Sequence, residues 1–172
     1  MGMDVFGNNP KINTKEGDFS VYEKYNNMDF KQKWDELDAD NKLKDKYFEE
    51  EEKFKNINKG VYFRNNVWAW RPLWNYCYAV ADGLIDEDTF QRGHGNSRAG
   101  LNKADSIKLG KLLLEEIAEG RTKLQEISYT VQCEQKAKDN PDDKFANSYP
   151  FSEGNVKRFA EFLLECGGFE IC

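Results

Sequence analysis

The side chains best suited to chemistry crowd into residues 62–76, Tyr-Phe-Arg-Asn-Asn-Val-Trp-Ala-Trp-Arg-Pro-Leu-Trp-Asn-Tyr, which hold three of the chain's four tryptophans. The wider window 60–102 carries Arg64, Arg71, Arg92 and Arg98 but no lysine, although the six arginines leave 19 of the chain's 25 basic residues as lysine. Arginine offers a planar fork that meets carboxylate or phosphate bidentately and stacks on aromatic faces, which lysine cannot do. Flat rings alternating with guanidinium forks and amides are the chemistry of a pocket for a flat, anionic, hydrogen-bonding ligand. The residues expected to line it are Arg64, Asn65, Asn66, Trp68, Trp70, Arg71 and Trp74, joined by Arg92, His94 and Arg98 from the polar loop 91–100. A stacked base is worth ~1–3 kcal/mol per aromatic ring. The competing expectation is that the tryptophans are core, with the arginines bridging to Asp4 or to the terminal carboxylate.

The loop Arg92-Gly-His-Gly-Asn-Ser-Arg98 could wrap an anion with the backbone N–H groups of Gly93 and Gly95. It carries neither a Walker pattern nor a dinucleotide fingerprint, so an ordinary exposed loop is the alternative. His94, the single histidine, is the one imidazole that could serve as a general base, and no nucleophile turn accompanies it. No catalytic residue is therefore assigned, with His94 the weak candidate. Asp82, Asp86, Glu87 and Asp88 do not follow an EF-hand spacing and read as an acidic turn. With one histidine and no closely spaced cysteine pair, neither a metal nor a cofactor is expected.

The elements that must position these groups follow from composition and periodicity. The chain has 172 residues, 39% hydrophobic and 14% aromatic, so a few large rings must build much of the core. The net charge of −6 sits in residues 13–59 and 103–172, and no basic stripe suggests a polymeric nucleic acid partner. No run has the ~18 apolar residues of a membrane span, and Cys77, Cys133, Cys166 and Cys172 read as free thiols of a reducing, cytoplasmic setting.

Residues 13–59 are rich in charge and amide, with Phe30, Trp34 and Leu37, then Leu43 and Tyr47, at helical spacing. They read as a helical insertion into a core made of 1–12 and 60–172. Pro72 fits a first helical turn, predicting a helix to about Ala81 with Leu73, Tyr76, Cys77 and Val80 on one face and Arg71, Trp74 and Tyr78 on its flanks. Asn102 is the expected N-cap of the next helix, with Asp105 in its first turn. Its stripe of Leu109, Leu112, Leu113 and Ile117 is broken or kinked at Gly120 and resumes through Leu124, Ile127 and Val131. After the loop at Asn140-Pro141, Ser152 caps a last helix, stapled by Phe151 and Val156. Met3–Phe6 and Phe169–Cys172 alternate like strands and can pair, tying the termini together. The expected fold is mainly α with a small β-sheet (α+β), a compact single domain with a helical insertion.

Three segments, Met1–Pro10, Tyr62–Tyr76 and Tyr149–Ser152 through Gly167–Cys172, resemble a family of small hypothetical proteins encoded by bacteriophages and bacteria. The resemblance covers about two thirds of the chain, and residues 13–59 look like an insertion relative to it. It implies a phage or prokaryotic, intracellular origin and brings no established activity. The expected function is a non-catalytic binding protein for a small anionic, nucleotide-like ligand, such as a counter-defence sponge for an immune messenger. The alternatives are a protein–protein inhibitor or adaptor with an exposed Trp/Arg patch, and a small hydrolase using His94. A homo-oligomer stays open.

Overall fold

The computed structural model describes residues 2–140 and 150–172. Pro141 and Tyr149, named above, lie outside them. The fold is mainly helical with a small three-stranded antiparallel sheet, and the chain divides into two compact units, Met1–Lys11 with Gly60–Cys172, and Ile12–Lys59.

In the first unit, strand β1 (Gly2–Gly7) lies between β2 (Tyr62–Asn66) and β3 (Phe169–Ile171). Asp4 stands opposite Arg64, and Val5 stands opposite both Phe63 and Ile171. The alternation that marks Met3–Phe6 and Phe169–Cys172 in the sequence has its cause here. Met3, Val5, Phe63, Phe169 and Ile171 turn inward onto the core, while Phe6, Arg64 and Glu170 turn outward or to the edge. The far edge of β3 is closed by residues 98–101, whose backbone exchanges hydrogen bonds with Phe169 and Ile171. β2 is an element that the aromatic and amide crowding of 62–66 concealed in the sequence.

Helix α4 (Val67–Val80) begins directly after β2, because the Asn66 side chain accepts the Ala69 N–H at 2.8 Å and caps it. Pro72 thus sits inside the helix, not in its first turn, and has no N–H to return to the carbonyl one turn back. The short α5 (Glu87–Arg92) follows, capped by Asp86, then α6 (Lys103–Ala118), capped by Asn102 with Asp105 in its first turn. The last helix, α8 (Glu153–Glu165), is capped by Ser152 and packs most extensively on α6. It buries Val156, Phe159, Ala160, Phe162 and Leu163 and stops at Gly167 and Gly168, both at positive φ.

Between them α7 (Arg121–Asp139) departs from the expected pattern. Gly120 adopts the left-handed conformation, φ 74°, and this resets the helical phase. The stripe does not resume. Leu124, Ile127 and Val131 are 67%, 53% and 59% exposed, and Thr122, Glu126 and Tyr129 face inward instead.

The second unit is an aromatic mini-core of three helices, α1 (Ser20–Asn26), α2 (Phe30–Ala39) and α3 (Asn41–Ile57), built on Phe19, Tyr22, Tyr25, Leu37, Tyr47 and Phe54. Asp29 and Asp40 cap α2 and α3. The N-terminus of α1 is capped from α3, since the buried Glu50 carboxylate accepts the N–H groups of Val21 and Tyr22 at 2.9 Å each. Phe30, read as part of an amphipathic stripe, is instead 76% exposed at the start of α2 and meets the edge of Trp34. Among the described residues no helix is long and apolar enough to cross a membrane.

Candidate functional site

Trp70 and Trp74 stand one turn apart on α4 and are fully buried. Their rings stack, 5.5 Å between centroids and 13° between planes, and Phe159 and Phe169 close on them edge-first. Each indole N–H is spent on the end of α5: Trp70 donates to the Gly93 carbonyl at 2.7 Å, and Trp74 to the Phe90 carbonyl at 2.9 Å. These carbonyls have no intrahelical partner because the helix is ending. Gly93 lies against the Trp74 ring so closely that a Cβ there would fall 2.3 Å from Nε1. The two tryptophans are core side chains that staple the 90–93 segment to α4 and present no face to a ligand. Trp74, read as a flanking residue, is buried because the helix starts well before Pro72 and packs on two sides. Trp68 is half-buried, so no exposed tryptophan patch forms.

The polar candidates scatter around this core. Arg64 is exposed on β2 and reaches Asp4 at 3.5 Å. Tyr62, also on β2, hydrogen-bonds the same carboxylate, and its phenol pKa is pushed up to about 12, by burial first and then by that bond. Asn66 is consumed as a helix cap, and Asn65 is buried on the core face of β2 with its Nδ2 donor unpaired. Arg92 pairs with Asp88 and donates to the carbonyls of Ser97 and Arg98, folding the loop onto itself. Arg98 has φ 56° and reaches Glu170 at 3.7 Å. The loop makes no anion nest, because the Gly93 and Gly95 N–H groups donate to Thr89 and Arg92 carbonyls as the chain turns out of α5. His94 sets its ring against the edge of Phe90, 4.8 Å away, and its pKa is lowered by burial and then by the Arg71 charge. The acidic turn is likewise absorbed: Asp86 caps α5, Glu87 accepts from Tyr78 and Gln91, and Asp88 meets Arg92.

What the motif does open is a groove on the other side of α4. Pro72, Asn75, Tyr76 and Ala79 form one wall and Gln125 and Tyr129 of α7 the other, around a cavity of about 300 Å³. That is the small end of the range for ligand sites. Its aromatic base is tied together by Phe151, whose ring lies 5.0 Å from Tyr76 and 6.1 Å from Tyr129. Its side is braced by a polar network centred on the buried Glu116. The Tyr76 hydroxyl donates to Glu116 at 2.9 Å, and Arg121 donates to the other oxygen of that carboxylate at 2.6 and 2.8 Å while also meeting Glu119. The Arg121 hydrogen bond holds the Glu116 carboxyl below its ordinary pKa, and burial with the Glu116 bond pushes the Tyr76 phenol up.

One helical turn before each lining amide is an arginine that does not itself line the groove: Arg71 before Asn75 on α4, whose charge acts on His94, and Arg121 before Gln125 on α7, which is turned onto Glu116 and Glu119. Asn75, Gln125 and Tyr129 were not singled out by sequence reasoning. The Arg-to-amide spacing is visible on each helix separately, but which two helix faces meet is not.

Among the described residues, no group of three or more His, Cys, Asp and Glu side chains is placed to hold a metal. Cys77 and Cys166 are buried, and burial raises both thiols above their ordinary pKa, which leaves them poor nucleophiles. Comparison with protein-family models, curated proteins and solved structures finds no match to the chain.

Proposed function

We propose that this protein acts by binding, holding a small anionic, nucleotide-like ligand in the α4–α7 groove without transforming it. The observation that carries the reading is the pair of facing carboxamides, Asn75 on one wall and Gln125 on the other, over an aromatic base. Carboxamides such as Asn75 and Gln125 offer a donor and an acceptor together, the pattern that reads the edge of a nucleobase. Tyr76 and Tyr129 supply flat faces, and Pro72 and Ala79 supply apolar contact. Arg121 is committed to Glu116 and Glu119. The cation we assign to the ligand's phosphate or carboxylate is Arg71, which stands one turn before Asn75, beside the lining of the groove and not in it. Among the residues lining the groove there is no nucleophile set beside a base, so a bound ligand is retained. Retention is what sequestration of a nucleotide messenger requires, and a phage protein that silences a host defence would use it.

Asn75 and Gln125 are exposed, so Asn75→Ala and Gln125→Ala leave the fold intact. Calorimetric titration with mononucleotides, cyclic dinucleotides and ADP-ribose should find one binder, and each alanine variant should weaken it by ~1–2 kcal/mol, one net hydrogen bond. Arg71→Lys keeps the charge and should still cost ~1–3 kcal/mol by losing the planar fork. A binder that ignores all three substitutions, or no binder in the whole panel, defeats the proposal.

A further inference from the structure

The α4–α7 groove has a narrow set of hydrogen-bonding groups, and that narrowness selects among ligands. None of the side chains lining it carries a charge. The Tyr76 hydroxyl is spent on Glu116 at 2.9 Å, so this residue offers the groove its ring. Each wall then contributes one carboxamide, Asn75 from α4 and Gln125 from α7, and both are exposed. Among the described residues neither amide has a hydrogen-bond partner, so both are open to a ligand.

A carboxamide is a matched fork. Its oxygen accepts, its nitrogen donates, and rotation of the side chain presents the two in either order. Its best counterpart is a ring edge that carries one donor beside one acceptor. In a nucleotide the sugar covers one corner of the base and leaves two edges of a purine open, the Watson–Crick edge and the N7 edge. Adenine shows a donor beside an acceptor on both: the amino group with N1 on the first, and the amino group with N7 on the second. The amino group has two hydrogens, one for each carboxamide oxygen. Guanine and hypoxanthine show two acceptors on the N7 edge, where a carboxamide oxygen would meet O6 or N7 with no proton between them. A pyrimidine has no counterpart of N7, so one of the two amides goes unmatched. The size of the site agrees with a single base. A cavity of about 300 Å³ has room for one ring system, with sugar and phosphate left outside it.

We propose that the groove is an adenine site, in which Asn75 and Gln125 grip the Watson–Crick and N7 edges of one base, one amide to each edge. This rests on the nucleotide reading of the groove given above and names the base that the reading leaves open.

Calorimetric titration of the full chain with the 5′-monophosphates of adenosine, guanosine, inosine, cytidine and uridine holds the phosphate constant and varies the base. The adenosine compound should bind at least about tenfold more tightly than each of the others, the discrimination of one bidentate pair. Its 7-deaza analogue, with C–H in place of N7, should bind several-fold more weakly than the parent. The N6,N6-dimethyl analogue, which has lost both amino hydrogens, should bind more weakly still. In one of the two variants, Asn75→Ala or Gln125→Ala, the 7-deaza penalty should vanish because the amide that meets N7 is gone, and in the other it should persist. A guanosine, inosine or pyrimidine compound that binds as tightly as the adenosine one overturns the adenine assignment, as does a 7-deaza penalty that survives in both variants. If binding of that other nucleotide still falls in the alanine variants, the groove stands as a nucleotide site with a different base. Silence of all five monophosphates also overturns the assignment, and silence of cyclic dinucleotides and ADP-ribose as well removes the nucleotide reading itself.

Discussion

Replacing Trp74 by Phe tests whether the tryptophan motif holds the fold or meets a ligand. The ring is fully buried, and its N–H donates to the Phe90 carbonyl at 2.9 Å. Phenylalanine preserves most of the packing but leaves that carbonyl without its donor, at a cost of ~1–3 kcal/mol. The smaller ring also leaves a void, costing roughly 1 kcal/mol more. The expected loss is ~2–4 kcal/mol, a fall in Tm of about 5–15 °C for a chain of this size. Gly93→Ala attacks the same contact from the other side. Its Cβ would fall 2.3 Å from Nε1 and 2.5 Å from Cε2 of Trp74, so something must shift, typically for ~1–3 kcal/mol. The two changes must interact. Phenylalanine lacks the ring atoms that the added methyl group would strike, so the double variant should be more stable than the sum of the singles predicts, by about 1 kcal/mol or more. Urea titration followed by tryptophan fluorescence and by circular dichroism measures all four corners of the cycle. Strict additivity, or a Trp74→Phe variant that melts like the native chain, would refute the staple. Ligand titration of Trp74→Phe at low temperature should remain native, because Trp74 does not line the groove.

Two further outcomes follow from other parts of the molecule. Glu116 is held below its ordinary pKa of 4.5, chiefly by Arg121, so its contribution to stability is full above that value and is lost as pH falls through the lower, folded value. Glu116→Gln should therefore flatten the stability-versus-pH curve below about pH 4.5, and an unchanged acid limb in urea melts would count against the network. Excising residues 12–59 and joining Lys11 to Gly60 through a short Gly/Ser linker should leave a folded protein. Both ends lie against Glu165, since Lys11 N–H donates to its carbonyl at 2.9 Å and Gly60 packs within 2.3 Å of the same carbonyl group, measured from an added Cβ. Loss of a cooperative melt in the excised chain would show that the core needs those residues.

Much of the architecture is legible in the sequence because its signals are local. Met3–Phe6 and Phe169–Cys172 alternate with period two, and they do pair in one sheet. Asn102 and Ser152 carry their capping roles in residue type and position alone. What is not legible depends on events between elements. The phase of α7 cannot be extrapolated across Gly120, because a left-handed residue rotates everything after it, so a stripe continuous in sequence becomes buried on α6 and exposed on α7. In the second unit, α1 lacks a strong side-chain cap of its own and takes its capping carboxylate from Glu50, 28 residues away from Tyr22.

The same reasoning explains why the richest motif in the chain gives an ambiguous account of its own role. On a helix, successive residues point ~100° apart, so a segment packed with aromatics and polar groups interleaves two surfaces. Trp70 and Trp74 share the stripe that faces the core, while Arg71 and Asn75, each one position later, share a stripe that faces out. Read as a string, tryptophan next to arginine suggests a ring and a guanidinium meeting one ligand. Read on the helix, the pair is divided: the ring anchors α4 against the end of α5, and that anchoring fixes the direction in which the next residue points. The switch from lysine to arginine is consistent with this division, since a side chain beside a rigidly held helix face gains most from a fork whose geometry is already set. The aromatic half of the motif therefore acts on the groove only through position. For that reason Trp74→Phe is expected to lower the melting temperature and spare binding, while Asn75→Ala does the reverse.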